Sequence, residues 1–309
     1  MRFGLSLCLS ALLALLAISL WHPAKAADRP TATQGQPATP GSGVSPGAAP
    51  GVSKARYRGI DFTPSAPIVP VKLEREVERP QNHFTQGLIF YNQLLYESTG
   101  LYEKSALHAY PATELDQKGG LGTEAQLNLP PEVFAEGVAE AKGDLYLLTW
   151  QEGLIYVVDP STLEIKDTIR QPIEGWGLAH DGRYLWRSDG SDRLQKHQTG
   201  DFAPVGDPLS VRDGQNPVRR LNELEWDARS GLILANIWHS DLVAAIDPAS
   251  GQVRYYLDLT PLADKERARS ATPDDQAVTN GLAIDAQGRL WVTGKLWPSV
   301  YLVTYSAPR

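Results

Sequence analysis

The sequence predicts an all-β fold, a five-bladed β-propeller, over residues 67–309. Short runs of Val, Ile, Leu, Tyr and Trp, such as LIYVVD and RLWVTG, are separated by turns rich in Gly, Asp, Pro and Ser. These runs recur in units about 40 to 60 residues long, which is the period of a propeller blade. The five units begin at Gln86, Glu136, Trp176, Asn222 and Asn280, so five blades are predicted.

The last unit ends near Tyr305 and lacks one strand of a complete blade. Residues 68–76 (IVPVKLERE) have strand composition and precede the first unit, so we expect them to supply the missing outer strand. Joining the two ends of the chain in this way would close the ring and protect strand edges that an open sheet exposes.

Residues 1–26 have the composition of a secretory signal peptide. Arg2 precedes an apolar stretch, and Ala24 and Ala26 fit the small-residue cleavage pattern. This predicts a secreted or periplasmic protein with no stable membrane insertion after cleavage. A retained membrane anchor is the alternative, because the stretch is nearly long enough to span a bilayer.

Residues 27–66 are rich in Pro, Gly, Ala, Ser and Thr and show no hydrophobic period. Such a composition predicts a flexible tether between the signal peptide and the folded domain, with a pro-segment as the alternative. Near its end, Tyr57, Ile60 and Phe62 are the side chains that could dock on the domain.

Composition and motifs exclude several classes of chemistry. The only cysteine is Cys8, inside the predicted signal peptide, so the mature chain has no thiol nucleophile, disulfide or sulfur ligand for zinc. The formal net charge is −7 and no dense Lys/Arg block occurs, which argues against nucleic-acid binding. Residues 67–309 also lack the G-x-S-x-G and H-E-x-x-H motifs and a phosphate-binding glycine loop. Carboxylate acid–base chemistry or binding alone remains.

The unit starts predict where a functional site lies. The first strand of each propeller blade lines the central channel, so equivalent starts meet at one mouth. They bring one carboxylate, Glu136, together with amides, and the ends of the second strands add Trp150, Trp238 and Lys295. Aromatic walls with a few polar groups are typical of a pocket for a small polar ligand. The alternative is that the tryptophans only fill the core and Glu136 is a turn residue.

Nine segments, in the same order, resemble the glutamine cyclotransferases of plants and bacteria. They include HFTQGL at 83–88, YESTGLY at 96–102, FAEGV at 134–138, EGWGLAHDG at 174–182, LNELEW at 221–226 and VTGKLWP at 292–298, and the match covers residues 78–305. The chain departs from the family pattern at Glu103 and Lys104, where Gly is usual, and at Ala139 and Glu140, where Thr is frequent.

The resemblance implies a five-bladed propeller that converts the N-terminal glutamine of peptides or proteins to pyroglutamate with release of ammonia. It places the catalytic acid/base on Glu136. It places the substrate-binding residues on aromatic and polar side chains, namely Phe84, Gln86, Phe134, Trp150, Trp176, Asn222, Trp238 and Lys295. The expected enzyme is a monomeric acyltransferase that needs no cofactor and no catalytic metal, although some relatives hold a structural calcium ion in the channel.

Two other functions stay open at this point. A non-catalytic propeller could bind peptides or sugars through the same pocket. A metal-dependent lactonase-like hydrolase could use Glu136, Asn222 and Asn280, because such propellers place Glu and Asn at channel strand starts. Turnover distinguishes an enzyme from a binding module, and calcium dependence would favour the lactonase.

Overall fold

The computed structural model describes residues 59–117, 120–122, 125–269 and 274–308. Contacts divide the chain into residues 1–50 and residues 51–309, and every described residue belongs to the second unit. The predicted signal peptide and residues 27–58 of the predicted tether lie outside the described residues.

The described chain forms five blades, each built on four antiparallel strands, which confirms the predicted fold. Two strands, β1 (Ile68–Pro70) and β2 (Lys72–Glu78), come first in the chain. Blade 1 contains β3 (Thr85–Tyr91), β4 (Leu94–Thr99), β5 (Ala106–Pro111) and β6 (Ala125–Asn128). Blade 2 contains β7 (Ala135–Ala141), β8 (Asp144–Thr149), β9 (Leu154–Val158) and β10 (Ile165–Arg170).

Blade 3 contains β11 (Leu178–His180), β12 (Leu185–Arg187), β13 (Arg193–His197) and β14 (Pro204–Ser210). A small hairpin, β15 (Arg212–Asp213) and β16 (Asn216–Pro217), separates it from blade 4. Blade 4 contains β17 (Leu221–Asp227), β18 (Leu232–Ile237), β19 (Leu242–Ile246) and β20 (Val253–Asp258). Blade 5 contains β21 (Thr279–Ile284), β22 (Leu290–Gly294) and β23 (Ser299–Thr304), completed by β2.

The first strand of each blade contacts the first strands of its neighbours, in the ring β3, β7, β11, β17 and β21. Buried apolar side chains fill the space between successive blades in clusters that mix residues of adjacent sheets. Hydrophobic burial between blades therefore holds the ring together. The unit starts read from the sequence fall at or immediately before these inner strands.

The N-terminal strands close the ring in a way that the sequence predicted only in part. Strand β2 pairs antiparallel with β23, from Lys72 opposite Thr304 to Glu78 opposite Ser299, and so completes blade 5 as expected. Residues 68–70 do not join that blade. They form β1, which pairs parallel with β20 and adds a fifth strand to blade 4. The physical reason is that β20 would otherwise leave an unpaired outer edge.

Residues 59–66, which were predicted to belong to the tether, pack on the propeller. Ile60 and Phe62 lie half-buried against the apolar core of blades 3 and 4. The backbone N–H groups of Ser65 and Ala66 donate to the buried carboxylate of Asp213, at 2.7 and 3.0 Å. Residues 59–66 are therefore docked on the propeller, and burial of the apolar Ile60 and Phe62 side chains accounts for this. Tyr57 lies outside the described residues.

Helical structure is sparse in the described part of the chain. It consists of α1 (Thr260–Arg269) and a 3₁₀ helix over Ala112–Asp116. Within the described residues, no helix has the length and apolar character needed to cross a bilayer.

Candidate active site

A cavity of about 340 Å³ lies where the inner strands begin. Its lining includes all nine side chains that the sequence predicted, together with one that it did not: Phe84, Gln86, Phe134, Glu136, Trp150, Trp176, Asn222, Trp238, Gln276 and Lys295. The positions follow a rule, because each lining aromatic lies within two residues of the start of a first strand or directly after a second strand. The fold therefore delivers equivalent positions of different blades to one cavity.

Backbone bulges aim the polar lining residues. The strand register shifts around Gln86 in β3, around Glu136 in β7 and around Asn222 in β17. A bulge leaves its extra residue outside the regular hydrogen-bond ladder and redirects the side chain. Gln86, Glu136 and Asn222 therefore lie where the inner strand bends, and their side chains line the cavity.

Glycines beside these residues let neighbouring blades approach. A Cβ at Gly137 would lie 2.6 Å from the backbone nitrogen of Leu178, and one at Gly177 would lie 2.0 Å from the carbonyl oxygen of Asn222. Only glycine fits at contacts this close. The recurrent glycine after the unit start thus has a structural cause: the inner strands meet there, backbone against backbone.

Glu136 is the carboxylate of the cavity, and only 5% of its surface is exposed. Its Oε1 accepts a hydrogen bond of 3.1 Å from the Nε2 of Gln86. Burial raises the pKa of Glu136 well above the ordinary value of 4.5, and the charges of Glu174 and Glu152 add to the shift, while Lys295 opposes it. A carboxyl group with a raised pKa is suited to take up and release a proton during a reaction.

Lys295 is a buried ammonium group in the cavity lining. Its Nζ lies 4.7 Å from the centroid of the Phe84 ring, within the range of a cation–π contact. Burial lowers the pKa of Lys295 to about 8, although the charge of Glu136 favours its protonated form. No side-chain hydrogen bond holds its ammonium within the described part of the protein, so its N–H groups can bind a ligand oxygen.

Two asparagines at unit starts differ in their roles. Asn222 lines the cavity and is buried, and its Oδ1 has no hydrogen-bond partner among the described residues. Asn280 does not line the cavity. Its Nδ2 donates to the backbone oxygen of Thr85 at 2.9 Å, so it braces blade 1 against blade 5.

The aromatic lining residues form two groups, and the carboxylate of Glu174 bridges them. Phe134 packs on Phe84 and Trp150, with centroid distances of 6.3 and 5.7 Å, and Trp176 meets Trp238 edge-on at 5.6 Å. The Nε1 groups of Trp150 and Trp176 both donate to Oε1 of Glu174, at 2.8 and 2.9 Å. That single oxygen therefore fixes the orientation of two indole rings in neighbouring blades.

Sequence reasoning missed Gln276 as a lining residue and the bridging contacts of Glu174. Gln276 lies in the loop between α1 and β21, outside the repeated unit, so no repeat position pointed to it. Glu174 belongs to the EGWG segment that carried part of the resemblance. Its adjacency to a predicted pocket tryptophan was the available signal.

The described residues do not suit a channel calcium ion. They contain no group of three or more His, Cys, Asp or Glu side chains placed to share a metal. In the channel, Glu223 already accepts the backbone N–H of Leu282 at 3.0 Å, and burial raises its pKa well above the ordinary value.

Comparisons with known proteins agree with this geometry. The family model described as glutamine cyclotransferase matches residues 50–305. A glutaminyl-peptide cyclotransferase of Arabidopsis thaliana is 33% identical over 236 residues, which cover 75% of this chain and 70% of the relative. The crystal structure of the Myxococcus xanthus glutaminyl cyclase superposes with a TM-score of 0.71 at 34% identity, covering 79% of this chain and 100% of that one. This chain therefore belongs to the glutamine cyclotransferase family.

Proposed function

We propose that this protein is a glutaminyl-peptide cyclotransferase, an acyltransferase that converts the N-terminal glutamine of peptides and proteins to pyroglutamate and releases ammonia. The observation that carries the proposal is Glu136. A single carboxyl group with a raised pKa lies buried in an aromatic cavity large enough for one glutamine residue. Intramolecular acyl transfer needs one group that moves a proton, and the cavity provides one.

The cavity favours ring closure by the way it holds the substrate. Its aromatic walls enclose the aliphatic part of a glutamine side chain and fold it back toward the α-amine. Holding the amine nitrogen close to the γ-carboxamide carbon turns attack into a well-oriented intramolecular step. The rest of the peptide leaves through the mouth.

The proposed reaction is balanced without a water molecule, because the glutamine residue yields pyroglutamate and ammonia alone. The α-amine nitrogen attacks the carboxamide carbon, and the bond from that carbon to the amide nitrogen breaks. Glu136 takes a proton from the attacking amine and delivers it to the departing nitrogen, which leaves as ammonia. Gln86 holds Glu136 through the 3.1 Å hydrogen bond and so keeps the carboxyl group in place.

Lys295 is suited to the oxygen that gains negative charge during the attack. Its ammonium is buried in the cavity lining, and donors in a site sheltered from water stabilise an oxyanion strongly. The Nε2 of Gln86 is already used by Glu136. The unpartnered Oδ1 of Asn222 is an acceptor and is suited to an N–H of the substrate instead.

The experiment is incubation of the purified protein with a dipeptide that begins with glutamine. Turnover releases ammonia and lowers the peptide mass by about 17 daltons, the mass lost in this acyl transfer. A peptide that begins with glutamate is the matched negative control. Binding without ammonia release would indicate a binding module. The lactonase alternative is not favoured by the site, because Asn280 lies outside the cavity lining.

We infer that turnover needs no added cofactor or metal, because acid–base chemistry by Glu136 accounts for the reaction. Activity should survive dialysis against EDTA. Loss of activity that calcium restores would contradict this inference and would favour the lactonase.

We also propose that the protein is exported, acts as a monomer and binds no nucleic acid. The composition of residues 1–26 supports export to the periplasm or the medium. The mass of the protein recovered from the exported fraction tests this, because cleavage should place the mature terminus near Ala27. Recovery of the uncleaved chain in membranes would support the anchor instead, and light scattering measures the oligomeric state.

A further inference from the structure

The loop between β4 and β5 packs against the wall of the cavity. A Cβ at Gly100 would lie 2.4 Å from a ring carbon of Phe134 and 3.0 Å from the Cγ of Gln86, so the loop packs directly on two lining residues. The N–H of Gly100 also donates to the carbonyl oxygen of Phe84 at 2.9 Å. Whatever follows Gly100 in the chain therefore lies at the rim of the cavity.

The next two residues expose apolar surface at this rim. Leu101 is 37% exposed and Tyr102 is 46% exposed. Among the described residues, the other exposed large hydrophobic side chains are Leu73 and Ile165, which lie singly on the outer strands β2 and β10. Adjacent exposed apolar side chains at the edge of a ligand cavity indicate a contact surface more strongly than scattered ones do.

Tyr102 is held in place although its ring faces solvent. Its ring packs edge-on against Phe134 with a centroid distance of 5.4 Å. Its hydroxyl donates to Oε1 of Glu152, at 3.0 Å, from the loop after β8. An exposed ring that is fixed by contacts at both ends loses little freedom when a ligand packs on it, which favours binding.

The backbone around Tyr102 is held in an uncommon conformation. Leu101 and Glu103 have φ angles of 96° and 67°, in the region that favours glycine. The N–H of Glu103 donates to the carbonyl of Pro131 at 2.8 Å, and the hydroxyl of Ser105 donates to the carbonyl of Leu101 at 2.9 Å. Strained loop residues that neighbours hold in place recur at ligand sites.

We propose that Leu101 and Tyr102 form a second subsite that binds the side chain of the residue following the N-terminal glutamine and selects apolar or aromatic side chains there. This inference rests on the proposed function. A cavity of about 340 Å³ encloses the first residue, so the second residue must cross the rim. Tyr102 packs on Phe134, which itself lines the cavity, so the exposed apolar surface continues the cavity wall.

The test compares two amidated dipeptides, Gln-Phe and Gln-Gly, which differ only in the second side chain. The wild-type protein should cyclise Gln-Phe with the higher kcat/KM. Tyr102→Ala should lower kcat/KM for Gln-Phe about five- to tenfold, the size expected for one aromatic contact, and for Gln-Gly less than about twofold. Equal losses on both peptides would overturn the subsite.

Two further variants make the result specific. Tyr102→Phe retains the ring and loses the hydroxyl, so it should keep the preference for Gln-Phe, and loss of that preference would contradict a contact made by the ring. Ile165→Ala removes a comparably exposed apolar side chain from an outer strand and should leave kcat/KM unchanged for both peptides. A change of preference in Ile165→Ala as large as in Tyr102→Ala would also overturn the subsite.

The subsite and the proposed function fail in distinguishable ways. A wild-type protein that releases ammonia from neither peptide contradicts the proposed function, and the subsite with it. A wild-type protein that cyclises both peptides with equal kcat/KM contradicts the subsite alone.

Discussion

Two carboxyl groups in the first two blades are both buried, but their pKa values are shifted in opposite directions. Glu97, in β4, meets the guanidinium of Arg79, the hydroxyl of Thr85 at 2.6 Å and the ring nitrogen of His83 at 3.1 Å. Burial alone would raise the pKa of Glu97, but Arg79 and His83 outweigh it and hold the pKa well below the ordinary range. Glu136 has one amide donor, and burial dominates its pKa.

The difference shows what each carboxylate does for the protein. Arg79 follows β2 and also donates to the carbonyl oxygens of Gly294 and Trp297 in blade 5, so the group around Glu97 ties the two ends of the ring together. A buried charge with several partners stabilises a fold only as a complete set. Glu136 lacks such a set, and a buried carboxyl group with few partners is typical of a catalytic position.

The largest expected effect is a loss of activity, and it distinguishes the region around Glu136 from the region around Glu97. Glu136→Gln should lower kcat by a factor of about 10² to 10⁴, because the proton carrier is lost, while KM changes less. At acid pH, where the Glu136 carboxyl group is protonated in the folded and the unfolded chain, the free energy of unfolding should change by less than about 1 kcal/mol, because glutamine preserves the shape. Steady-state kinetics and urea unfolding measure both quantities.

Glu140→Gln, on the same strand and outside the cavity lining, is the matched control and should retain wild-type kcat. If Glu136→Gln keeps more than about a tenth of the wild-type kcat, the loss is smaller than an acid–base group usually causes. Glu136 would then be a structural residue. Glu174 and Glu223 would then be the next carboxylates to examine.

The next effect concerns stability rather than activity. Arg79→Ala leaves Glu97 buried without its principal cation and should lower the free energy of unfolding by about 3 to 5 kcal/mol. Arg75→Ala, which removes a partly exposed ion pair with Asp116, should cost less than about 1 kcal/mol. Similar losses in the two variants, measured by urea unfolding, would show that the group around Glu97 does not hold the ring closed.

A smaller effect is expected inside the pocket. Glu174→Ala removes the oxygen that orients Trp150 and Trp176, so KM should rise about tenfold, the equivalent of two ordinary hydrogen bonds. Glu174→Gln keeps an acceptor oxygen and should restore most of the lost affinity. Equal KM values for the two variants would mean that charge, and not indole orientation, is what Glu174 contributes.

Repeat positions in the sequence were sufficient for the blade count and for seven of the nine predicted pocket residues, and the family resemblance added Phe84 and Phe134. Glu136 and Asn222 lie at bulges that recur at the same place in the blades, so a repeat search finds them. The pairing of β1 with blade 4, the docking of Phe62 and the place of Gln276 depend on contacts between distant parts of the chain. Composition and periodicity describe only neighbouring residues, so they do not predict such contacts.

The central claim is that charged partners set the pKa of Glu97 whereas burial sets the pKa of Glu136, and it predicts contributions to stability with opposite pH dependence. The pKa of Glu136 is raised in the folded state, so its contribution to stability is complete below pH 4.5 and is lost as the pH rises through the raised value. The pKa of Glu97 is lowered, so its contribution is complete above pH 4.5 and is lost as the pH falls.

The most direct measurement is the free energy of unfolding of the wild type, Glu136→Gln and Glu97→Gln across the pH range from acid to mildly alkaline. Relative to Glu136→Gln, the wild type should lose stability as the pH rises above 4.5. Relative to Glu97→Gln, it should gain stability as the pH rises to 4.5 and then stay level. If both stability differences change with pH in the same direction, the pKa values of Glu97 and Glu136 are shifted in the same direction and the account is wrong.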